Sequence, residues 1–345
     1  MNAPTASQND PRDADMPHRS LPVMDLGPFL AGEDGALEAL AAKWREACES
    51  VGFMCLTNHG LAESEIENME TQARRFHALP DEDKLAIKVN EHQRGFIPGK
   101  ATVLTHSEYD ENTKLDSVEC LVVATDFPQD HPEAKAGKQF YSQNQWPKNL
   151  PGFQAGIESY KSQVISLGKR LGPVWAVSLG LEPDYFDSYL EEDYTYMRIA
   201  KYPRTPEMKP DELGLGSHAD TGFMTFLPPA REAGLQVLDT DGIWFWPIIP
   251  DGAIILNTGW FLSRWTNDRF RATPHRVLPP RNDDRYSFAC FVNTSLDVEA
   301  ECLPTCTTPD NPPKYPRQNY WDFYQWYLTN TYTHYGKVDG EEAAE

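Results

Sequence analysis

Two side chains that can bind a metal ion lie two residues apart in the stretch "LGLGSHADTGFMTFL", residues 213–227. Alternate side chains of a β-strand share a face, so we expect His218 and Asp220 to point the same way, into the protein interior. A third metal-binding side chain, His275, follows in the strand-like run "RATPHRVLP". Two histidines and one carboxylate can occupy one face of an iron(II) ion and leave its other positions open for substrates and dioxygen.

Other histidines of the chain fit the same short pattern of a histidine followed by an acidic residue. His106 with Glu108 and His131 with Glu133 both match it, but they lie in a polar stretch rich in proline and glycine, residues 91–150. Because no strand there would aim side chains into a core, we interpret both pairs as solvated loop residues. Zinc with the same three ligands as iron and a water molecule would serve hydrolysis, and ligand types alone do not separate the two metals.

An arginine and a serine follow the last of these candidate ligands by ten and twelve residues. The segment "PPRNDD", residues 279–284, is typical of a turn, so we expect "RYSFACFV" to return beside the strand of His275 as a hairpin. Arg285 and Ser287 would then share one face. Arginine grips a carboxylate with two parallel hydrogen bonds, and a buried arginine without an anionic partner is costly. The pair therefore predicts a carboxylate ligand, with Tyr202 as a third hydrogen-bond donor to it.

The elements that must position these residues change in character along the chain. Apolar residues at helical spacing predict helices over residues 35–51, around 66–76 and over 157–178, where Pro173 would introduce a kink. From about residue 194, short apolar runs separated by turn residues favour a β-sandwich or barrel. We expect four regions: a disordered leader (1–20), a mixed α/β region with helical support (21–190), a β core (191–297), and a C-terminal helical extension with an acidic tail (298–345).

Composition and charge limit the partners of the chain. Of its 345 residues, 40% are hydrophobic, which is enough for a large core, and 52 acidic against 31 basic side chains give a formal charge of −21. Phosphate-rich partners would be repelled, so we expect no nucleic acid and no anionic membrane as partners. The polar first residues lack the apolar segment of a signal peptide, and the six cysteines are scattered, which favours a cytoplasmic protein with free thiols. No pattern specifies the oligomeric state.

The order His218-x-Asp220, His275, Arg285-x-Ser287 resembles that of the iron(II)- and 2-oxoglutarate-dependent dioxygenases, and in particular their isopenicillin N synthase-like branch. The resemblance extends over most of the chain and includes the phrases "LPVMDLGPFL", "VGFMCLTNHGL", "RGFIPGK" and "RWTNDRFRATPHRV". It implies an α+β fold, in which a double-stranded β-helix, or jelly roll, is flanked by helices.

The resemblance also implies roles for individual residues. His218, Asp220 and His275 would bind Fe(II), whereas Arg285 and Ser287, assisted by Tyr202, would hold the distal carboxylate of 2-oxoglutarate. Dioxygen would be the second co-substrate, with succinate and carbon dioxide as co-products. The reaction would be hydroxylation, desaturation or ring closure of a small molecule.

Two positions depart from the pattern of many relatives. Ala200 stands where an asparagine is common, which implies a different way of binding the keto acid end of 2-oxoglutarate. Trp260 stands where an acidic residue is common, which implies a more aromatic pocket wall.

Two other functions stay open. Some members of the branch do without 2-oxoglutarate, and their arginine and serine hold a carboxylate of the substrate instead. A jelly-roll binding protein with an inert zinc ion is the third hypothesis.

Candidates for contact with the primary substrate are fewer. Phe223, Trp260 and Phe291 are candidates for the pocket wall, although aromatic residues of a jelly roll also serve as core. Arg94, in "HQRGFIP", would either meet an acidic group of the substrate or brace a loop. We also expect substrate contacts on the loop over about residues 101–115 and on the aromatic C-terminal helix, which would close over the mouth of the barrel.

Overall fold

The computed structural model describes Arg12 and residues 16–101, 115–209 and 212–331. The α-helices in these ranges are α1 (Gly27–Leu30), α2 (Ala36–Ser50), α3 (Glu63–His77), α4 (Asp81–Leu85), α5 (Pro132–Lys135), α6 (Phe153–Arg170), α7 (Gly172–Ser178), α8 (Asp187–Leu190), α9 (Trp260–Trp265) and α10 (Tyr320–Thr331). None of these helices is long and apolar enough to span a membrane.

The strands of the described ranges are mostly short and lie mainly in the second half of the chain. They are β1 (His18–Ser20), β2 (Val23–Asp25), β3 (Phe53–Thr57), β4 (Gly95–Ile97), β5 (Glu119–Ala124), β6 (Tyr196–Tyr202), β7 (Leu215–His218), β8 (Met224–Leu227), β9 (Leu235–Leu238), β10 (Trp244–Ile248), β11 (Ile254–Thr258), β12 (His275–Val277), β13 (Arg285–Val292), β14 (Glu299–Ala300) and β15 (Gln318–Asn319).

Two sheets build the core of the molecule. The smaller has the strand order β1-β10-β9-β12-β7 and the larger β2-β3-β11-β8-β13-β6-β5-β4, whereas β14 and β15 form a separate ribbon. Most neighbours pair antiparallel, and α3 and α6 pack against the larger sheet at β13. A jelly roll with helices on its larger sheet confirms the predicted α+β class.

The predicted helices form where apolar residues recur at helical spacing. In α2 the buried residues include Leu40, Trp44 and Cys48, which lie one above the other on a single face. The long helix predicted over residues 157–178 forms as α6 and α7, which are separated at Leu171. Pro173 lies in the first turn of α7, where its missing N–H costs no hydrogen bond, so the helix breaks there rather than bending.

One expectation about the N-terminal part was wrong at its end. The predicted disordered leader, residues 1–20, includes β1, which pairs in parallel with β10. Before it, Arg12 donates hydrogen bonds to the carbonyl oxygens of Thr205 and Pro279. The strands β2 to β5, which belong to the predicted N-terminal region of residues 21–190, complete the larger sheet beside strands of the C-terminal half.

The hairpin predicted between the strand of His275 and that of Arg285 was also wrong. β12 lies in the smaller sheet with β7 and β9 on its two edges, and β13 lies in the larger sheet with β6 and β8 on its edges. Because both edges of β12 and both edges of β13 are already paired, these two strands cannot pair with each other. The turn at residues 279–284 therefore carries the chain from one sheet to the facing one, and both strands still present residues to the same interior.

Candidate functional site

Three side chains with metal-binding atoms meet at one end of the smaller sheet. His218 is the last residue of β7, His275 is the first of β12, and the two are cross-strand partners. The sequence pattern suggested that Asp220 lies within a strand, but Asp220 lies two residues past the end of β7. Its Oδ1 is 3.8 Å from Nε2 of His218 and 3.7 Å from Nε2 of His275, and all three ligand atoms lie within 4.8 Å of one another.

Backbone carbonyls set the orientation of both imidazole rings. Nδ1 of His218 donates to the carbonyl oxygen of Gly216 at 2.8 Å, and Nδ1 of His275 donates to that of Thr273 at 3.1 Å. Since a carbonyl only accepts, the neutral rings carry the proton on Nδ1 and the lone pair on Nε2. Burial, reinforced by the nearby charge of His275, lowers the pKa of His218 to about 3, which keeps this ring neutral.

The carboxylate of Asp220 is held from behind by two polar side chains. Its Oδ2 accepts hydrogen bonds of 2.6 Å from Oγ1 of Thr225 and from Nδ2 of Asn257. Burial alone would raise the pKa of Asp220, but the neighbouring imidazoles of His275 and His218 and these hydrogen bonds outweigh it, so the pKa is lowered. The sequence analysis did not single out Thr225 and Asn257. Each is a polar residue in a mostly apolar strand, and this feature could have identified them.

This donor set fits a divalent transition metal. The separations between Oδ1 of Asp220 and the two imidazole nitrogens can be bridged by one ion, because metal–ligand distances are about 2.0–2.2 Å for imidazole and carboxylate ligands. Each ligand has an outer partner that orients it, as metal ligands usually do. Iron(II) in oxygenases is commonly bound by two histidines and a carboxylate, with open positions left for reactants.

Arg285 and Ser287 lie on one face of β13 and line the same cavity as the three metal-binding residues. The guanidinium of Arg285 is buried, and its Nε and Nη1 have no hydrogen-bond partner among the described residues. Burial lowers the pKa of Arg285, whereas Tyr202, whose ring centre lies 5.0 Å from the guanidinium carbon, raises it. Two orphaned donors of a buried cation fit a carboxylate ligand, and 2-oxoglutarate carries one at the end remote from its keto acid group.

Two glycines leave room for this arginine and its tyrosine neighbour. A Cβ atom added to Gly234 would lie 2.9 Å from Cδ and 3.1 Å from Nε of Arg285, and one added to Gly214 would lie 2.9 Å from Cδ1 of Tyr202. Larger residues at these positions would displace the two side chains. The absence of a side chain at Gly214 and Gly234 therefore leaves the space that Arg285 and Tyr202 occupy.

The cavity between the sheets encloses about 1070 Å³, part of which is open to solvent. Besides the residues named above, its lining includes Tyr324, Tyr327 and Leu328 of α10, so the aromatic C-terminal helix does lie over the barrel. The loop of residues 101–115, the other predicted location of substrate contacts, falls almost entirely outside the described residues.

The four residues predicted to contact the substrate do not lie together. Phe291 lines the cavity, whereas Phe223 is fully buried and packs edge-on against Trp175, Phe186 and Trp265 in the aromatic core. Trp260 begins α9 and packs against Trp326 and Tyr327, outside the cavity wall. The three aromatic candidates thus lie in different layers of the fold.

Arg94 braces loops rather than facing the cavity. It is completely buried, and its two Nη atoms donate to the carbonyl oxygens of His92, Thr125 and Phe140 and to the hydroxyl of Tyr194. Its neighbour Gln93, which sequence reasoning did not single out, lines the cavity instead, as does Arg198. Arg198 carried a signal, namely a charged residue within the apolar strand β6.

The alternative His131 and Glu133 pair has a structural role. Nδ1 of His131 accepts a hydrogen bond from the backbone N–H of Glu133 and so caps α5, while Nε2 lies 3.4 Å from Glu192. This histidine therefore starts a short helix and lies on no strand of the barrel. The second such pair, His106 and Glu108, lies outside the described residues.

Comparisons with known proteins agree with this geometry. Residues 21–149 match the family described as the N-terminal region of a non-haem dioxygenase in morphine synthesis, and residues 194–294 match the 2OG-Fe(II) oxygenase superfamily. The 2-oxoglutarate-Fe(II) type oxidoreductase hxnY of Emericella nidulans is 34% identical over 306 residues, which cover 86% of this chain and 85% of the relative. The Citrus sinensis Kihadalactone A synthase LFS is 32% identical, covering 86% of this chain and 89% of the relative.

Solved structures agree as well. A 2OG-Fe(II) oxygenase family protein from Caulobacter crescentus superposes with a TM-score of 0.78 at 27% identity, covering 89% of this chain and 98% of the other. A full-length Neurospora crassa protein, solved in complex with alpha-KG and thymine, superposes with a TM-score of 0.77 at 25% identity, covering 90% and 96%. The chain therefore belongs to the 2OG-Fe(II) oxygenase superfamily and is an iron(II)- and 2-oxoglutarate-dependent dioxygenase.

Proposed function

We propose that His218, Asp220 and His275 bind the iron(II) ion, that Arg285, Ser287 and Tyr202 bind the distal carboxylate of 2-oxoglutarate, and that a small organic molecule is oxidised in the rest of the cavity. The observation that carries this assignment is the pair of orphaned donors on the buried Arg285, in the same cavity as the three clustered metal-binding residues. The thymine bound by the Neurospora crassa protein supports a small substrate.

Each residue has a distinct part in the proposed reaction. Dioxygen is the oxidant: bound iron(II) would supply the means to activate it, and its four oxidising equivalents would be shared between 2-oxoglutarate, which leaves as succinate and carbon dioxide, and the substrate. Arg285 fixes the distal carboxylate through its Nε and Nη1 donors and so sets how far the keto acid end reaches towards the metal-binding residues. Thr225 and Asn257 hold one oxygen of Asp220 and leave Oδ1 directed at the histidines.

The packing of the site also excludes water from the reacting groups. The walls around Arg285 and Asp220 are largely apolar and include Phe53, Leu235 and Val277. In such surroundings hydrogen bonds and charges act more strongly than in water. A substrate that fills the remaining volume under α10 would complete the seal, so we expect succinate production to be slow until a true substrate is present.

The test is to supply the metal-stripped protein with iron(II), 2-oxoglutarate and air and to measure succinate. Without a primary substrate we expect slow, iron-dependent succinate formation. We expect His218→Ala to weaken iron(II) binding by at least about 100-fold, since loss of even an outer partner of a ligand typically costs 10–100-fold. His131→Ala is the matched control, because this histidine belongs to the same short sequence pattern but caps a helix. Equal iron binding by wild type and His218→Ala would refute the assignment of the metal site.

A further inference from the structure

The carboxylate of the metal site lies on a short turn between two strands. Residues 220–223, which we call the Asp220 turn, connect the end of β7 to the start of β8. The hydrogen bonds from Thr225 and Asn257 hold the carboxylate itself, but they do not fix the backbone that carries it. Because metal ligands must be held to within about 0.5 Å, the backbone of this turn needs support of its own.

The start of α9 supplies hydrogen bonds to every carbonyl group of the Asp220 turn. Four consecutive N–H groups donate to the four carbonyl oxygens, in the pairs Trp260 to Asp220 (2.7 Å), Phe261 to Thr221 (2.9 Å), Leu262 to Gly222 (3.4 Å) and Gly259 to Phe223 (3.2 Å). The first N–H groups of a helix have no partner within the helix. The turn and α9 therefore complete each other's backbone hydrogen bonds and form one unit.

A glycine in each segment permits this close approach. A Cβ atom added to Gly259 would lie 2.3 Å from the carbonyl oxygen and 2.7 Å from the carbonyl carbon of Gly222. The φ of Gly259 is −112°, which any residue can adopt. Space, and not backbone conformation, therefore requires glycine at position 259.

Asn293 holds the Asp220 turn from the side of β13. This residue is fully buried, and its Oδ1 accepts the backbone N–H of Phe223 at 2.9 Å. Its Nδ2 donates to the carbonyl oxygens of Tyr194 and Phe291 at 3.1 and 3.3 Å. A Cβ atom added to Gly222 would lie 1.7 Å from Oδ1 of Asn293, and its three nearest atoms would all belong to Asn293.

Aromatic packing fastens the turn to the same helix. The ring of Phe223 packs edge-on against Trp265, the last residue of α9, and against Phe186. On α9 itself, the ring of Phe261 lies 4.7 Å from that of Tyr320 on α10. Phe223, which the sequence made a candidate for substrate contact, thus serves the turn that carries Asp220.

We propose that Gly222, Gly259 and Asn293 are positioning residues for the iron(II) site. They hold the Asp220 turn between α9 and the end of β13, and so fix the carboxylate of Asp220 relative to the two histidines. None of the three lines the cavity, so they act through the backbone of the turn. This inference rests on the proposed function, because it requires that Asp220 binds iron(II).

The test compares iron(II) affinity with stability in variants of the full-length protein. Affinity is measured without oxygen by competition with a chelator, and the free energy of unfolding by chemical denaturation. Asn293→Ala leaves the N–H of Phe223 without its acceptor and should weaken iron(II) binding about tenfold, the lower end of the loss typical for an outer partner of a ligand. Gly222→Ala displaces the turn from Asn293 and should weaken iron(II) binding about tenfold or more.

A double variant tests the contact between Gly222 and Asn293. In the protein with both Gly222→Ala and Asn293→Ala, the added methyl group occupies the space that the carboxamide leaves. This variant should bind iron(II) within about twofold of Asn293→Ala alone, since two substitutions that act on one contact are not additive. Losses that multiply to about 100-fold or more would show that the two residues act separately, which contradicts the proposal.

Two control variants separate positioning from general destabilisation. Asn144→Ala also removes a carboxamide bonded to backbone groups, here the N–H and carbonyl of Ala124 at 2.7 and 2.8 Å, outside the cavity. Gly156→Ala also adds a Cβ atom close to a neighbour, 3.0 Å from Cγ of Gln72, where α6 packs against α3. Both controls should bind iron(II) like wild type, whatever their free energies of unfolding.

Cobalt(II) in place of iron(II) adds a spectroscopic readout, because its visible absorption depends on the arrangement of its ligands. Asn293→Ala and Gly222→Ala should change this spectrum, and the controls should not. If both variants lose stability but keep the iron(II) affinity and cobalt(II) spectrum of wild type, the inference is overturned while the proposed function stands. If Asp220→Ala also binds iron(II) like wild type, the metal site is wrongly assigned and both fail. Should Gly222→Ala not fold, the comparison of Asn293→Ala with Asn144→Ala decides.

Discussion

Replacing Arg285 by methionine should have opposite effects on the ligand-free and ligand-bound protein. In the ligand-free protein the guanidinium is buried with two donors unpaired, and unsatisfied buried donors cost about 1–3 kcal/mol. The same substitution removes the contact with the ring of Tyr202, worth about 0.5–2 kcal/mol. With about 1–3 kcal/mol for each of the two donors and about 0.5–2 kcal/mol for the ring contact, the free energy of unfolding should be unchanged or rise by up to about 5 kcal/mol.

With 2-oxoglutarate present, the same substitution should lower the free energy of unfolding relative to wild type. Nε and Nη1 would form two charge-assisted hydrogen bonds to the distal carboxylate, each worth about 1.5–3 kcal/mol. Their loss amounts to about 3–6 kcal/mol, which raises the dissociation constant of 2-oxoglutarate by about 10²- to 10⁴-fold. The stabilisation that wild type gains from saturating 2-oxoglutarate should disappear in the variant.

Two measurements on the same samples test this prediction. Anaerobic calorimetric titration of 2-oxoglutarate into the iron-loaded protein gives the dissociation constant, and chemical denaturation with and without 2-oxoglutarate gives the free energies of unfolding. Arg264→Met is the control, since Arg264 is also an arginine with a buried, unpaired Nε, but it lies over the ring of Tyr315 outside the cavity. A variant at residue 285 that unfolds more easily without ligand yet binds 2-oxoglutarate like wild type would refute the reasoning.

Three further predictions follow from neighbouring groups. Gly234→Ala should displace Arg285 and raise the dissociation constant of 2-oxoglutarate about tenfold or more in the same titration, whereas Gly172→Ala, with only ordinary contacts, should not. Asn257→Leu should weaken iron(II) binding by about 10–100-fold, measured by competition with a chelator, because Asp220 loses an orienting partner; an unchanged affinity would contradict this. Burial raises the pKa of Asp116 from 3.8 to about 7, despite the hydrogen bond from Gly216 and the charge of Arg198. Between those pH values the folded state holds the extra proton, so stability should fall as the pH rises from about 4 to about 7, and denaturation of Asp116→Asn should show a smaller fall.

The amino-acid sequence by itself determined the chemistry of the site. Few types of side chain bind metal ions, and the order of His218, Asp220 and His275 along the chain does not depend on the conformation of the loops between them. The alternation of a strand also put Arg285 and Ser287 on one face, because a two-residue period is a local property of the backbone. Helical spacing and Pro173 predicted α2, α6 and α7 for the same local reason.

Only the tertiary structure decided which distant residues share the cavity. Gln93 lines the cavity whereas its neighbour Arg94 is buried and braces loops, and the two residue types alone do not predict this difference. Phe223 and Phe291 are both buried aromatic residues of the barrel, yet the register of β13 against β6 brings Phe291 alone of the two to the wall. A turn of six residues permits either a hairpin or a crossing between sheets, and the choice at residues 279–284 depended on which strand edges were already paired. Such choices rest on packing between segments far apart in sequence, which local patterns do not encode.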